Sequence, residues 1–112
     1  MRPVSVGKNL TANTATTLYT VPTGYYAKCT YLNVTNSSVL AKTISLSWYD
    51  VSLSATIPLA ADFSVLSKVN FAPLSGTQYF VMEEGDYIIA TSETGATMSI
   101  VGTFEINGAQ RT

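Results

Sequence analysis

Apolar and polar residues alternate along most of this 112-residue chain. The alternation is most regular over residues 42–49, where Ile44, Leu46 and Trp48 share one face and Thr43, Ser45, Ser47 and Tyr49 share the other. A period of two is typical of a β-strand with one buried face. Similar patterns predict further strands over residues 17–21, 27–35, 53–57, 78–82, 87–92 and 98–106.

Turn-forming sequences such as Val21-Pro22-Thr23-Gly24 and Asn36-Ser37-Ser38 separate these segments at short intervals. Regularly spaced strands without helical periodicity predict an all-β fold. We therefore expect a single antiparallel β-sandwich over residues 1–112, either jelly-roll or immunoglobulin-like, with seven to nine strands. Gly102, inside the last segment, predicts a bulge or a close backbone approach.

Two segments do not fit the alternation clearly. Residues 1–13 are weakly patterned and polar, which suggests a possible extended N-terminal arm that could add a strand to a neighbouring sheet. Residues 59–70 are also irregular, and a helical turn is possible around Ala60-Ala61-Asp62.

The proportion of charged residues is low, at 12% against about 25% in an average soluble domain. Ser and Thr replace the missing charges with 28 residues, so we expect neutral, hydroxyl-rich faces that resist association poorly. The six basic residues are scattered singly, which argues against nucleic-acid binding: Arg2, Lys8, Lys28, Lys42, Lys68 and Arg111. No apolar run is long enough for a membrane span, and no targeting segment is recognised, so we expect synthesis in the cytoplasm.

Catalytic residues are scarce. Histidine is absent, which removes the commonest general base and zinc ligand, and Cys29 lies within a predicted strand where a free thiol usually packs as a small hydrophobe. The turn Glu83-Glu84-Gly85-Asp86 offers oxygen ligands for Ca²⁺, but its spacing is not that of a calcium loop. Asp50, Asp62 and Glu105 are too far apart in sequence to predict a glycosidase pair. The sequence therefore predicts no enzyme, no cofactor and no metal site.

The aromatic residues divide into two groups. Trp48 shares the inward phase of its strand and is predicted to lie in the core. Tyr25 and Tyr26 follow a turn glycine, and Tyr49 has the outward phase, so these three are predicted to be exposed. Exposed tyrosines suit a protein interface or, alternatively, a sugar-stacking surface.

Three segments carry a resemblance to a known group of proteins: residues 17–24 (TLYTVPTG), 27–36 (AKCTYLNVTN) and 84–88 (EGDYI). Together they resemble the small β-sandwich structural proteins of tailed-bacteriophage virions, including head-decoration or cement proteins and tail-associated proteins. The resemblance implies a virion component, made in the cytoplasm of the host bacterium, with no catalytic residues.

A virion component of this kind would pack against the major capsid protein or tail proteins and against copies of itself, as a homo-oligomer in the particle. The leading expectation is a capsid decoration or cement protein. The alternatives are a tail or fibre component, or a carbohydrate-binding module for host adsorption.

Overall fold

The computed structural model describes residues 2–74 and 77–108, with the backbone alone at Arg2. Within those ranges the chain forms nine β-strands and no helix. The strands are β1 (Arg2–Leu10), β2 (Thr16–Thr20), β3 (Tyr25–Asn36), β4 (Lys42–Asp50), β5 (Ala55–Val65), β6 (Asn70–Leu74), β7 (Phe80–Met82), β8 (Tyr87–Ser92) and β9 (Met98–Gly108). The described part of the chain accordingly has no helix that could cross a membrane.

Two antiparallel sheets make up the sandwich. Sheet A has the order β1-β9-β3-β6, with β7 also paired to β3, and sheet B has the order β2-β8-β4-β5. The first strand pairs with the last, the second with the eighth and the fourth with the fifth, which is the arrangement of a β-ribbon rolled into a jelly-roll. The prediction of a single antiparallel β-sandwich is confirmed, and the topology is the jelly-roll rather than the immunoglobulin-like alternative.

The core lies between the two sheets and follows the alternation seen in the sequence. Ile44 and Leu46 of β4, Ile88 of β8 and Phe104 of β9 are fully buried. Each such side chain contributes roughly 1.5–3 kcal/mol by leaving water. Trp48 packs against the same cluster from a partly buried position, so its predicted inward phase is confirmed.

Strand β5 occupies the irregular segment and overturns one expectation. The predicted helical turn at residues 60–62 is wrong, because Asp62 lies within β5 with a left-handed φ of 46°. The pairing of β4 with β5 shifts register on both sides of Leu46, which is how a sheet accommodates extra residues. Pro58 is tolerated inside β5 because an edge strand pairs on one side only.

The N-terminal segment is also a strand. Residues 2–10 form β1, which pairs with β9 in one uninterrupted antiparallel register from Arg2–Ile106 to Leu10–Met98. The segment predicted as a possible extended arm, residues 1–13, therefore has a partner strand within its own chain over residues 2–10. Residue 1 lies outside the described residues.

Neighbouring side chains pack closely against the backbone of Gly102 in β9, as its position within the strand predicted. A Cβ atom added there would lie 2.9 Å from Leu18 Cδ2 and 3.0 Å from Phe104 Cε1. The bulge lies on the neighbouring strand, where the β3–β9 register shifts between Cys29 and Tyr31. A larger residue at this position would require the side chains of Leu18, Leu32 and Phe104 to shift.

The loops gather at two ends of an elongated molecule with extents of 52 × 27 × 19 Å. Because the strands alternate in direction, the loops 11–15, 37–41, 66–69 and 93–97 share one end, hereafter the Asn36 end. The loops 21–24, 51–54 and 83–86 share the other, hereafter the Asp86 end.

Candidate interaction surfaces

The acidic turn singled out in the sequence closes the Asp86 end, and Asp86 is its fully buried member. Its carboxylate accepts hydrogen bonds from Trp48 Nε1 at 3.1 Å, from the Val51 amide at 3.0 Å and from the Glu83 amide at 2.9 Å. These three donors come from β4, from the loop after it and from the acidic turn itself. The carboxylate therefore ties three separate segments together.

Asp50 joins this turn, a contact that the sequence did not indicate. One carboxylate oxygen each from Asp50, Glu83 and Asp86 lies within 4.8 Å of the others. Asp50 Oδ1 accepts hydrogen bonds from the Ser52 amide and hydroxyl. Since protein donors already surround two of the three carboxylates, their geometry is explained without a cation.

The other two acidic residues considered from the sequence have separate partners. Asp62 on β5 exchanges hydrogen bonds with the Ser45 hydroxyl, at 3.0 and 3.3 Å. Glu105 on β9 lies 3.7 Å from Lys28 Nζ in a half-exposed ion pair. Asp50, Asp62 and Glu105 are therefore on three different elements, each with its own structural contact.

The Asn36 end is organised by a buried amide. Asn36 is fully buried, and its Nδ2 group donates to the carbonyl oxygens of Leu40 at 3.1 Å, Val65 at 2.9 Å and Leu66 at 3.3 Å. Its Oδ1 accepts from the Ser38 amide at 2.9 Å. The sequence marked Asn36 only as a turn former, whereas the structure shows it joining the 37–41 and 66–69 loops.

Both ends expose apolar side chains. The most exposed are Val39 at 83% and Leu66 at 64% at the Asn36 end, and Leu53 at 68% at the Asp86 end. Leu40, beside Val39, is 63% exposed. Contiguous exposed apolar groups on a soluble domain commonly mark protein contact sites.

The predicted exposure of Tyr25 and Tyr26 is confirmed, at 39% and 40%. Tyr49 is half-buried and stacks on Tyr87 with ring centroids 5.0 Å apart, on the outer face of sheet B. The sequence missed Tyr87 as its neighbour, because cross-strand pairing depends on register.

A shallow groove of about 250 Å³ lies between β4, β5 and β8 near the Asn36 end. Its lining is polar, including Thr43, Asp62, Thr91 and Glu93, and contains no aromatic residue. The groove therefore does not combine hydroxyl and carboxylate groups with a stacking ring.

Cys29 is fully buried on β3. Burial raises the pKa of its thiol to about 12, and a hydrogen bond with the Tyr31 backbone opposes the shift. Such a thiol is almost entirely protonated at neutral pH and is a poor nucleophile. The thiol is therefore part of the core packing, as the sequence predicts.

The four edge positions of the two sheets differ in how well they could accept a further strand. Edge strand β5 contains Pro58 and the left-handed Asp62, and β6 contains Pro73. Strands β2 and β7 are five and three residues long. These are the features with which natural sheets block edge-to-edge pairing.

The outer side of β1, hereafter the β1 edge, has less of this protection. It is nine residues long with no register shift. Its only proline, Pro3, is next to the first residue of the strand, and Lys8 is its only charged residue after that proline. The β1 edge is therefore the longest regular edge in the described part of the chain.

Comparison with known proteins gives little further information. No family model and no curated protein matches this chain. A solved structure from Bacillus, described as endospore appendages that form a novel family of disulfide-linked pili, has a similar fold. The TM-score is 0.49 at 12% sequence identity, covering 96% of this chain and 86% of that chain. This likeness concerns the fold alone, so function is inferred from the contacts of this chain.

Proposed function

We propose that this chain is a non-enzymatic structural subunit of an assembled particle, and that a neighbouring chain pairs with its β1 edge. The resemblance of residues 17–24, 27–36 and 84–88 to tailed-phage proteins suggests that the particle is a virion. A head-decoration or cement role is the leading form of the proposal, and a tail-associated role is the alternative. The partners would be the major capsid protein or tail proteins, together with copies of this chain.

The observation that carries the proposal is the contrast between the β1 edge and the other edges. Proline, a left-handed residue or short length interrupts β2, β5, β6 and β7. Strand β1 is nine residues long, has no register shift and has its one proline at its second residue. Strand addition uses the unpaired backbone groups of such an edge. The low charge of the chain, 12%, also removes much of the repulsion that keeps surfaces apart.

The expected strength of this contact suits a repeated assembly. About half the amide and carbonyl groups of a nine-residue edge strand point outward, and each hydrogen bond contributes roughly 1 kcal/mol net. The sum is comparable to the entropic cost of association, about 4–15 kcal/mol. A single contact is therefore weak, and many copies on a lattice would stabilise one another.

A matched pair of variants, Gly7→Pro and Lys8→Pro, tests the proposal. Alternate residues of β1 direct their N–H groups toward β9 and away from it. One proline therefore removes a bond within sheet A and lowers the melting temperature, while the other removes a donor from the β1 edge alone.

Light scattering over a dilution series measures the outcome. We expect the proline variant that keeps wild-type stability to have a lower mass than the wild type at equal concentration. Equal masses would contradict the role of the β1 edge. Absence of the polypeptide from particles purified from cells that produce it, checked by mass spectrometry, would contradict the virion assignment.

A further inference from the structure

The apolar residues of the two ends are accompanied by unequal charge. At the Asn36 end, Lys68 Nζ donates to the Ser37 carbonyl at 2.8 Å and Lys42 Nζ donates to the Thr94 carbonyl at 3.4 Å. These bonds hold both ammonium groups against the end loops. The one carboxylate in those loops, Glu93, accepts a hydrogen bond from the Thr43 amide at 2.7 Å.

The Asp86 end is acidic. Of its four carboxylates, Asp50 and Asp86 are buried, whereas Glu83 is exposed and Glu84 is partly buried. The loops 21–24, 51–54 and 83–86 contain no Lys or Arg, and Arg2 begins β1 at this end. Leu53, at 68% exposed, projects from the same end. One end therefore presents apolar side chains beside ammonium groups, and the other presents an apolar side chain beside carboxylates.

We infer that copies of this chain stack end to end, with the Asn36 end of one copy seated on the Asp86 end of the next. Val39, Leu40 and Leu66 of one copy would cover Leu53 of its neighbour. Lys42 and Lys68 would face the carboxylates of the acidic turn. The inference rests on the proposed role as an assembly subunit, and it uses surfaces separate from the β1 edge.

The contact is heterologous, because two different surfaces meet. Such a contact propagates into a row or closes into a ring, whereas a two-fold contact stops at a dimer. A second copy fits better than an acidic partner of another kind, since the complementary acidic and apolar surface is present at the opposite end of the same chain. Complementary charge also orients the encounter, so stacking of two like ends is disfavoured.

The size of the ends limits the affinity. Each end measures at most about 27 × 19 Å in cross-section, so the contact buries on the order of 1,000 Å² in total, at the small end of specific interfaces. We therefore expect self-association that depends on concentration and weakens as salt screens the lysines and carboxylates.

Two variants disable one end each. Val39→Glu places a carboxylate on the Asn36 end, and Leu53→Lys places an ammonium group on the Asp86 end. Both positions are exposed, so little loss of stability is expected. Val101→Glu, on the outer face of sheet A at 40% exposed, is the matched control for losing an exposed apolar residue.

Sedimentation velocity at high protein concentration measures the contact. We expect Val39→Glu and Leu53→Lys each to weaken self-association about tenfold or more, and Val101→Glu to behave like the wild type. With the β1 edge blocked by the proline that keeps wild-type stability, an equimolar mixture of the two disabled variants should form dimers and stop there, because each retains one working end. A mixture that stays monomeric, or a wild type that stays monomeric at low salt, would overturn the inference.

Repeating the series with the edge-blocking proline separates the two proposals. End-to-end association that persists in that variant supports the stacking contact as an independent interface. Association lost entirely with the proline overturns the stacking contact and leaves the β1 edge as the assembly surface. Association that responds neither to the proline nor to Val39→Glu and Leu53→Lys contradicts both proposals.

Discussion

At each end of the sandwich one buried polar side chain holds the loops together, but it donates hydrogen bonds at one end and accepts them at the other. At the Asn36 end, loop carbonyl groups turn inward, and the buried amide of Asn36 donates to three of them. At the Asp86 end, backbone N–H groups and the Trp48 indole turn inward, and the buried carboxylate of Asp86 accepts from all three. The direction in which the loop backbones point thus selects a donor side chain at one end and an acceptor at the other.

The difference between a neutral and a charged buried group should appear in stability. Hydrogen bonds to a charged partner contribute more than those between neutral groups. Donors left without an acceptor inside a protein are costly. Carbonyl groups near a loop surface are more readily satisfied by water, since each has two lone pairs. Loss of the acceptor at the Asp86 end should therefore be the more damaging change.

The largest effect is expected for Asp86→Ala. Trp48 Nε1 and the amides of Val51 and Glu83 would lose their shared acceptor, at a cost of about 3 kcal/mol in the free energy of unfolding. Urea unfolding measures this loss. Asp86→Asn keeps one acceptor oxygen and should fall between Asp86→Ala and the wild type, whereas equal stability of all three proteins would show that the carboxylate does not tie this end together.

A smaller loss is expected for Asn36→Ala, about 2 kcal/mol, because the lost hydrogen bonds join neutral groups and those to Leu40 and Leu66 are only part-buried. The matched control is Asn33→Ala on the outer face of the same strand, where the Asn33 side chain bonds only to exposed Asn70. That control should change stability by less than about 0.5 kcal/mol. If Asn36→Ala proves as costly as Asp86→Ala, the proposed difference between the ends is wrong.

The smallest effect concerns Cys29, which lies in the core between the two ends. Burial raises its pKa to about 12 in the folded protein, against 9.0 for an unperturbed thiol. Above pH 9 the unfolded chain therefore loses the thiol proton before the folded protein does, and stability falls as the pH rises toward 12. At about pH 10 the loss is on the order of 1 kcal/mol.

Cys29→Ala removes this contribution, so the difference in unfolding free energy between the wild type and Cys29→Ala should shrink or change sign between neutral pH and pH 10. A pH-independent difference would contradict the raised pKa. In proteins that retain Cys29, Asp86→Ala should speed labelling of the thiol at neutral pH more than Asn36→Ala does, because labelling requires the core to open.

The sequence predicted the strands that have one buried and one outward face, and it missed segments in which burial does not alternate in this way. Alternation located β4 and β8 closely, because Ile44, Leu46 and Ile88 face a core while their neighbours face outward. Strand β5 has Val65 as its only fully buried residue. With burial so incomplete, and with Pro58 and a left-handed Asp62 in the strand, the period of two that predicted a strand over residues 53–57 did not continue through residues 59–65.

The two buried polar residues could not be assigned from the sequence for a different reason. Asp86 accepts hydrogen bonds from Trp48 and Val51, which are 38 and 35 residues away in sequence. Asn36 donates to the Val65 carbonyl, 29 residues away. Composition and spacing describe neighbours in sequence, whereas these contacts depend on which strands pair. The acidic turn was a calcium candidate because the sequence contains its carboxylates but does not indicate which backbone N–H groups donate to them.

The position of β9 in sheet A has a consequence for how the protein is made. β9 lies between β1 and β3 and pairs with both along most of its length, yet it follows the other eight described strands in the sequence. Until residue 108 has left the ribosome, β1 and β3 each lack their shared neighbour, and long-range β-pairing of this kind is intrinsically slow. Sheet A therefore forms late, and a chain truncated before β9 would leave β1 without its partner strand and one side of β3 unpaired.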